Sequence, residues 1–231
     1  MIRQDNIYLT LCVMFSVMIV SGNLVYQKFI ELPLSSLYTF EVSVGAMFYP
    51  LTFLLTDLIT EFYGKDKANL CVKLGIAMNL LIMGLVSFMD SLTATTWSPV
   101  DNQTFHRVFG FYSVAFIGSL LACYTAQSID IILYTWIRRL TGAKWLWLRN
   151  NGSTAVSLFI DTSIVISFMT FFGALPTAHM GTLIWNSYVY KVCFTVLSTP
   201  LFYMSVYGLR KLMYRPSQDR KYVESYSGLY D

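Results

Sequence analysis

The chain has 231 residues, of which 55% are hydrophobic and 13% charged, with a mean hydropathy of +0.54. Soluble domains carry about 25% charged residues, so this chain has roughly half the charge that a soluble surface normally shows. The composition therefore excludes a soluble globular domain, a disordered chain, a collagen-like repeat and a nucleic-acid-binding domain, and it indicates an integral membrane protein.

Six apolar segments are long enough to cross a bilayer, which needs about 20 residues at 1.5 Å each. The first segment is too long for the apolar core of a cleavable signal peptide, so we expect it to remain as a helix. We predict an all-α polytopic membrane protein with one domain over 1–214 and a short cytoplasmic tail over 215–231. The predicted spans are 7–28, 42–63, 70–90, 109–137, 150–174 and 187–209.

Lysine and arginine are distributed unevenly between the predicted loops. Twelve of the sixteen lie on one side, in the N-terminus, the 64–69 turn, the 138–149 loop and the C-terminus. Two lie on the opposite side and two lie within spans. Because cytoplasmic loops are enriched in lysine and arginine, both termini are predicted to be cytoplasmic.

The six spans divide into two sets of three, and an odd number per set would make any internal duplication an inverted repeat. The second span of each set carries an isolated aspartate, Asp57 in one and Asp161 in the other. A polar pair also marks the first span of each set, Asn23 with Gln27 in one and Gln127 with Asp130 in the other. Two inverted three-helix repeats are one option for this fold, and six helices without internal symmetry are the other.

Charged side chains inside a span need a physical reason, because each costs at least about 2.5–3.5 kcal/mol at the bilayer centre. Asp57 and its i+4 neighbour Glu61 share one face of the second span, and Pro50 is predicted to kink that span nearby. Either carboxylate is a candidate for a functional role. The structural alternative for Asp57 is a buried hydrogen-bonding group, and the structural alternative for Glu61 is a surface ion pair with Lys65 at the cytoplasmic boundary.

The remaining intramembrane charges lie in the second half of the chain. Asp130 ends a stripe of small residues and is predicted to face protein, with pairing to an arginine as the structural alternative. Asp161 lies near the middle of a serine-lined span and is the most costly group in the chain. Asn150 is predicted to cap that span or line its inner mouth. Lys191 either extends to the outer surface or pairs with Asp161 or Asp57 until substrate releases it.

The sequence contains no motif that indicates a metal site, a disulfide framework or an enzymatic active site. The four cysteines lie in apolar stretches at spacings that suit neither a metal site nor a disulfide framework. His106 and His179 have no companions at metal-ligand spacing, and no phosphate-binding loop, nucleophile elbow or His-Glu-x-x-His motif is present. We therefore expect no metal, no cofactor and no enzymatic activity.

Four motifs stand out in chain order: Thr56-Asp57-Leu58-x-x-Glu61-x-Tyr63-Gly64, Ala126-Gln127-x-x-Asp130, Trp147-Leu148-Arg149-Asn150-x-x-Ser153-Thr154 with Asp161-Thr162, and Tyr188-x-x-Lys191. Together they resemble the queuosine-precursor transporter family, also called the vitamin uptake transporter family. The resemblance extends from about Asn23 to Pro200. It implies a six-helix importer in the bacterial inner membrane for modified nucleobases that feed queuosine in transfer RNA. These are 7-deazaguanines such as the cyano and aminomethyl precursors, or queuine.

The chemistry of such a base agrees with the polar residues in the spans. A deazaguanine presents two adjacent N–H donors to a carboxylate, a carbonyl to an amide or ammonium group, and a flat face to an aromatic ring. The candidate substrate-binding residues are Asp161, Asp57, Asp130, Glu61, Gln127, Asn23, Asn150, Lys191, Tyr49, Phe48 and Trp185.

Three functions remain open at this point. The first is a self-sufficient secondary transporter of a deazapurine base. The second is a substrate-binding membrane subunit of an ATP-driven vitamin or nucleobase uptake system. The third is a membrane enzyme or scaffold, which the missing catalytic constellation argues against. The expected partners are a small nucleobase and the lipid bilayer, with no direct binding of nucleic acid, and a homodimer is left open.

Overall fold

The structure is a computed structural model that describes residues 2–35, 38–109, 112–142, 144–173 and 175–213. The predicted tail over 215–231 lies outside these residues. In chain order the elements are α1 (Ile2–Val25), β1 (Phe29–Ser35), β2 (Tyr38–Ser43), α2 (Pro50–Asp90), α3 (Asn102–Phe109), α4 (Tyr112–Leu140), α5 (Leu146–Phe171) and α6 (Met180–Met213). Short 3₁₀ turns lie before α2 and α6, at Val44–Ala46 and Thr177–His179.

Within the described part of the chain, five helical stretches are long and apolar enough to cross a membrane: Gln4–Val25, Val44–Asp90, Phe116–Leu140, Leu146–Phe171 and Thr177–Met213. Large apolar side chains such as Leu121, Trp136 and Leu197 face outward from these helices, whereas many polar side chains are buried between them. This distribution suits a lipid environment and not water. The prediction of a helical, multi-pass membrane protein is therefore confirmed.

Helix α2 has 41 residues, and its backbone leaves helical geometry at Gly64 (φ 82°, ψ 173°). Contacts with α1 show that the chain reverses direction there. Tyr63 Oη donates to the Gln4 carbonyl oxygen at 2.9 Å, near the start of α1. Farther along the chain, Asn23 Nδ2 donates to Asn79 Oδ1 at 3.0 Å, near the end of α1. Since glycine adopts positive φ without steric cost, Gly64 provides the turn that the sequence predicts after residue 63.

The first arm of α2, residues 50–63, begins beside the end of α1. A Cβ added to Gly22 would lie 2.9 Å from the Gly45 carbonyl oxygen, so the two backbones touch directly. The second arm, residues 65–90, runs beside α1 from the Gly64 turn, antiparallel to the first arm and parallel to α1. The bundle therefore has two ends, which we call the Gly64 end and the hairpin end, the latter being where β1 and β2 lie.

The antiparallel hairpin of β1 and β2 is not predicted by the sequence analysis. It pairs Phe29 with Ser43 at its base, and Phe40 packs edge-on against Tyr190 of α6. The predicted kink at Pro50 is wrong, and the residues between the predicted start of the second span at residue 42 and Pro50 form the end of β2 and a 3₁₀ turn. Pro50 is the first residue of α2, where a missing N–H costs nothing because the first helical N–H groups have no intrahelical acceptor.

Helices α4 and α5 pack antiparallel along their whole length. Toward the hairpin end, Gly118 lies so close to the ring of Phe168 that a Cβ added to the glycine would lie 2.5 Å from the ring. Toward the Gly64 end, Arg149 Nε donates to Tyr134 Oη at 3.2 Å. The small-residue face of α4 therefore packs against protein, as its four-residue spacing predicts.

Candidate functional site

The polar side chains that the sequence analysis singles out gather at three levels between the two ends of the bundle. At the first level, toward the hairpin end, α1, α4, α5, α6 and the segment before α2 line a cavity that is open to the surface. Its polar lining consists of Asn23, Tyr26, Ser43, Tyr49, Ser119, Asp161, Thr162, Ser187 and Lys191.

Asp161 is held by two side chains from other parts of the chain. Lys191 Nζ donates to Asp161 Oδ2 at 2.9 Å and to Thr162 Oγ1 at 3.0 Å. Tyr49 Oη donates to Asp161 Oδ1 at 2.8 Å, and Lys191 Nζ lies 4.9 Å from the centre of the Tyr49 ring. Asp161 is 3% and Lys191 5% exposed, so the lysine does not extend to the outer surface. It forms the ion pair that the sequence analysis gives as the alternative.

Asn23 joins three helices at the cavity wall. Its Nδ2 donates to Asn79 on the second arm of α2, and its Oδ1 accepts from Ser119 Oγ of α4 at 2.8 Å. Asn79 in turn donates to the Gly75 carbonyl oxygen at 2.9 Å. The amide therefore has a fixed orientation, which is useful in a group that recognises a ligand.

Gln127 lies at the second level, completely buried between α2 and α4. Its Oε1 accepts from Thr56 Oγ1 at 2.8 Å, and its Nε2 donates to Thr52 Oγ1 at 3.2 Å. Both ends of the amide are thus occupied by threonines of α2. Gln127 is not part of the cavity lining and joins the two helices.

Asp57 of α2 and Asp130 of α4 form the third level and interact with each other, both with no exposed surface. Within the described ranges, none of their four carboxylate oxygens accepts a hydrogen bond. The hydroxyls of Ser153, Thr154 and Ser157 on α5 lie next to Asp130. The pairing of Asp130 with an arginine, which the sequence analysis allows, is not formed among the residues that the structure describes.

Glu61 closes the Gly64 end of the bundle with cations from three other helices. Arg149 Nη2 donates to both carboxylate oxygens, at 2.9 and 3.0 Å, and Tyr134 Oη donates at 3.0 Å. Two more guanidinium groups lie 3.7 and 3.6 Å from its oxygens, those of Arg138 and Arg210. The Glu61 side chain is 4% exposed, so the predicted surface pair with Lys65 is wrong.

Beyond Gln127, Asp57, Asp130 and Glu61, three further predicted site residues lie away from the cavity. Phe48 is 58% exposed and packs against Phe194, and Trp185 is 61% exposed. Asn150 is buried, but α5 begins at Leu146, so Asn150 lies more than a turn inside the helix and does not cap it.

Several side chains at these three levels are not among the predicted substrate-binding residues. Ser119 and Ser187 line the cavity, and Arg149 binds Glu61. Ser119 carries no signal in the sequence beyond its polarity in an apolar span. Arg149 lies in a predicted loop, where it contributes to the charge count, although it belongs to one of the four motifs.

Residues 43–205 match the family model described as "Putative vitamin uptake transporter". The chain belongs to this family. The resemblance that the four motifs indicate is therefore confirmed.

Curated relatives cover most of the chain. It is 32% identical over 185 residues to the "Probable queuosine precursor transporter" of Bacillus subtilis (strain 168), covering 80% of this chain and 78% of that protein. It is 26% identical over 182 residues to the "Queuosine precursor transporter" of Escherichia coli (strain K12), covering 78% of this chain and 77% of that protein. No solved structure matches the chain. The relatives are named as transporters and not as enzymes.

Proposed function

We propose that this protein imports a queuosine precursor, a 7-deazaguanine base, across the inner membrane of a bacterium. The relatives in Bacillus subtilis and Escherichia coli carry the name queuosine precursor transporter, which supports this assignment. The observation that carries the proposal is the cluster of Asp161, Lys191 and Tyr49 in the wall of the cavity.

The cluster has the groups that a guanine-like edge requires. Each carboxylate oxygen of Asp161 has two lone pairs, and one of them accepts the hydrogen bond from Lys191 or Tyr49. Each oxygen can therefore accept one further N–H donor of the base. Lys191 then turns its ammonium group toward the carbonyl of the base. The rings of Tyr26 and Tyr49 border the same space and provide faces for stacking.

The proposal includes six crossings with both termini in the cytoplasm. At 1.5 Å per residue, the 41 residues of α2 would extend about 60 Å as one helix, twice the bilayer core of about 30 Å. The reversal at Gly64 supports two crossings, one by residues 44–63, which are the first arm with the short segment before it, and one by the second arm. In this arrangement the hairpin end faces outward and the Gly64 end faces the cytoplasm. The cavity is then open to the outside, and the Glu61 cluster closes the inside.

Two inverted repeats fit this topology and remain a proposal. Asp57 and Asp161 occupy the second span of each set of three. Asp161 lies toward the hairpin end and Asp57 toward the Gly64 end, as a two-fold axis in the membrane plane would place them.

Uptake by a bacterial strain that lacks both its own carrier and queuosine synthesis tests the function. We expect the expressed protein to restore uptake of labelled 7-cyano-7-deazaguanine, its aminomethyl analogue or queuine, and to restore queuosine in transfer RNA. Asp161→Asn should abolish uptake, whereas Asp66→Asn in the exposed turn should not. No uptake of any of the three bases by a protein that reaches the membrane would contradict the proposal.

The same assay in liposomes separates the two transporter mechanisms. A self-sufficient carrier moves the base when the purified protein is the only protein present and no ATP is supplied. Transport that appears only after an ATPase module is added would support the ATP-driven subunit, which the names of the relatives do not favour.

A further inference from the structure

The pair of Asp57 and Asp130 has no role in the binding of the base as described above. Neither residue lines the cavity, both have no exposed surface, and none of their four oxygens accepts a hydrogen bond of good geometry within the described residues, although three hydroxyls of α5 lie near Asp130. Ser157 Oγ next to Asp130 is also completely buried and without a partner in the same set of residues. Native structures rarely leave so many buried polar atoms unsatisfied at one place, so each such atom calls for an explanation.

Two carboxylates in contact inside a protein cannot both be charged unless a cation compensates them. The charged and titratable groups that act on Asp57 within the described residues are Glu61 on its own helix, Asp130 and Tyr134 on α4, and Arg149 on α5. Arg149 donates to both oxygens of Glu61 and is bound there. A proton shared between the two aspartates removes one negative charge and makes one carboxyl the donor that the other lacks.

We propose that Asp57 and Asp130 hold one exchangeable proton between them and that import of the base is coupled to its movement. The coupling rests on the proposed function, but the proton site does not. A proton passes from a hydronium ion on the hairpin side to one carboxylate oxygen of the pair, so one O–H bond breaks and another forms. That new O–H bond breaks when the proton passes to water at the open Gly64 end.

The position of the pair explains how its charge acts on the closed end. Asp57 lies one helical turn before Glu61 on the same face of α2. When the proton leaves, a second negative charge appears beside the bond between Glu61 and Arg149 and attracts the same guanidinium. The charge of the pair is therefore coupled through Arg149 to the ion pair that closes the Gly64 end.

The first experiment needs no substrate. Infrared spectra of the purified protein at neutral pH should contain the carbonyl band of a protonated carboxylic acid, which disappears in the Asp57→Asn, Asp130→Asn double variant. Asp66→Asn, in the exposed turn, should keep the band. A wild-type spectrum without it, or a double variant that retains it, would overturn the proton site whatever the protein transports.

The second experiment tests the coupling in liposomes with labelled 7-cyano-7-deazaguanine, a neutral base. A pH difference of one unit, acidic outside, should drive about tenfold accumulation by the wild type if one proton accompanies each base and the membrane potential is held at zero by valinomycin with equal potassium on both sides. Either single variant, Asp57→Asn or Asp130→Asn, should still exchange internal for external base but should lose this accumulation. Each asparagine is close in size to the protonated carboxyl that it replaces, and melting temperatures confirm that the variants fold.

The outcomes separate the two proposals. Exchange by the wild type with accumulation that follows a sodium gradient and not a pH gradient would overturn the proton coupling and leave the import function intact. Variants that accumulate the base as the wild type does would do the same. No exchange by the folded wild type would contradict the import function and the coupling together, while the infrared result would still decide whether the pair holds a proton.

Discussion

Lys191 and Asp161 form a buried ion pair between α6 and α5, with 2.9 Å between Nζ and Oδ2, in the wall of the main cavity. Tyr49 completes the arrangement from the start of α2. Because such a pair is costly to remove from water, it is weak as a source of stability but well suited to exchange its partners for those of a polar ligand.

Asp161→Asn should lower both stability and affinity for the base. The change leaves Lys191 buried without its counter-charge, which costs about 3–5 kcal/mol. It also replaces an acceptor by a donor, and loss of a charge-assisted hydrogen bond of about 1.5–3 kcal/mol weakens binding by roughly 10- to 150-fold. Melting temperature and binding of labelled base, both in detergent, measure the two effects.

The double variant Asp161→Asn, Lys191→Met distinguishes these two effects. It should recover most of the melting temperature, since no unpaired charge remains, but binding should stay weak. A double variant with wild-type affinity would show that the ion pair is structural and that the base binds elsewhere.

Ala122→Leu should destabilise the bundle. Ala122 is completely buried on the small-residue face of α4, and a larger side chain there costs about 1–3 kcal/mol through overpacking. The matched control is Leu121→Ala on the neighbouring, 53% exposed position, where the change should matter little. Folded yield and melting temperature in detergent are the measurements, and equal effects of the two changes would be inconsistent with a packed α4 face.

Glu61→Gln should destabilise the closed Gly64 end. Arg149 would lose the charge that compensates its buried guanidinium, at a cost of about 3–5 kcal/mol. Glu41→Gln, on an exposed position of β2, serves as the control and should leave the melting temperature unchanged. A Glu61→Gln protein as stable as the wild type would show that the Glu61 cluster does not stabilise the closed Gly64 end.

The loop over residues 91–107 should lie outside the cell. In a background without native cysteines, Ser98→Cys should react with an impermeant thiol reagent in intact cells, whereas Asp66→Cys should react only with a permeant one. Labelling of the two positions in the opposite pattern would reverse the proposed topology.

Local patterns in the sequence predict the helices and the intramembrane charges well, but they do not predict long-range partners. Lys191 and Asp161 are both recognisable because a charge in an apolar span is unusual wherever it lies. The partner of Glu61 is different, because the i+4 rule favours Lys65 and the actual partner, Arg149, is 88 residues away. Only the packing of α5 against α2 and α4 selects between them.

The sequence does not predict the β1–β2 hairpin, for a different physical reason. Its strands are largely apolar, and the stretch from Tyr38 onward continues into the apolar start of α2, so hydropathy assigns 42–49 to a span. Pro50 supports either a kink or a helix start, and the sequence alone does not distinguish them. The aromatic contact between Phe40 and Tyr190, 150 positions apart, depends on the assembled bundle.

The contact between Gly22 and Gly45 bears on how the cavity wall is held in place. Neither residue has a side chain, so the two backbones approach each other directly. Hydrogen bonds hold them in this position, since Ser43 Oγ donates to the Tyr26 carbonyl oxygen and Val44 N–H donates to the Lys28 carbonyl oxygen at 2.8 Å. A larger side chain at Gly22 or Gly45 would therefore separate α1 from this segment and displace Ser43 and Tyr49, which lie on either side of Gly45, from the cavity wall.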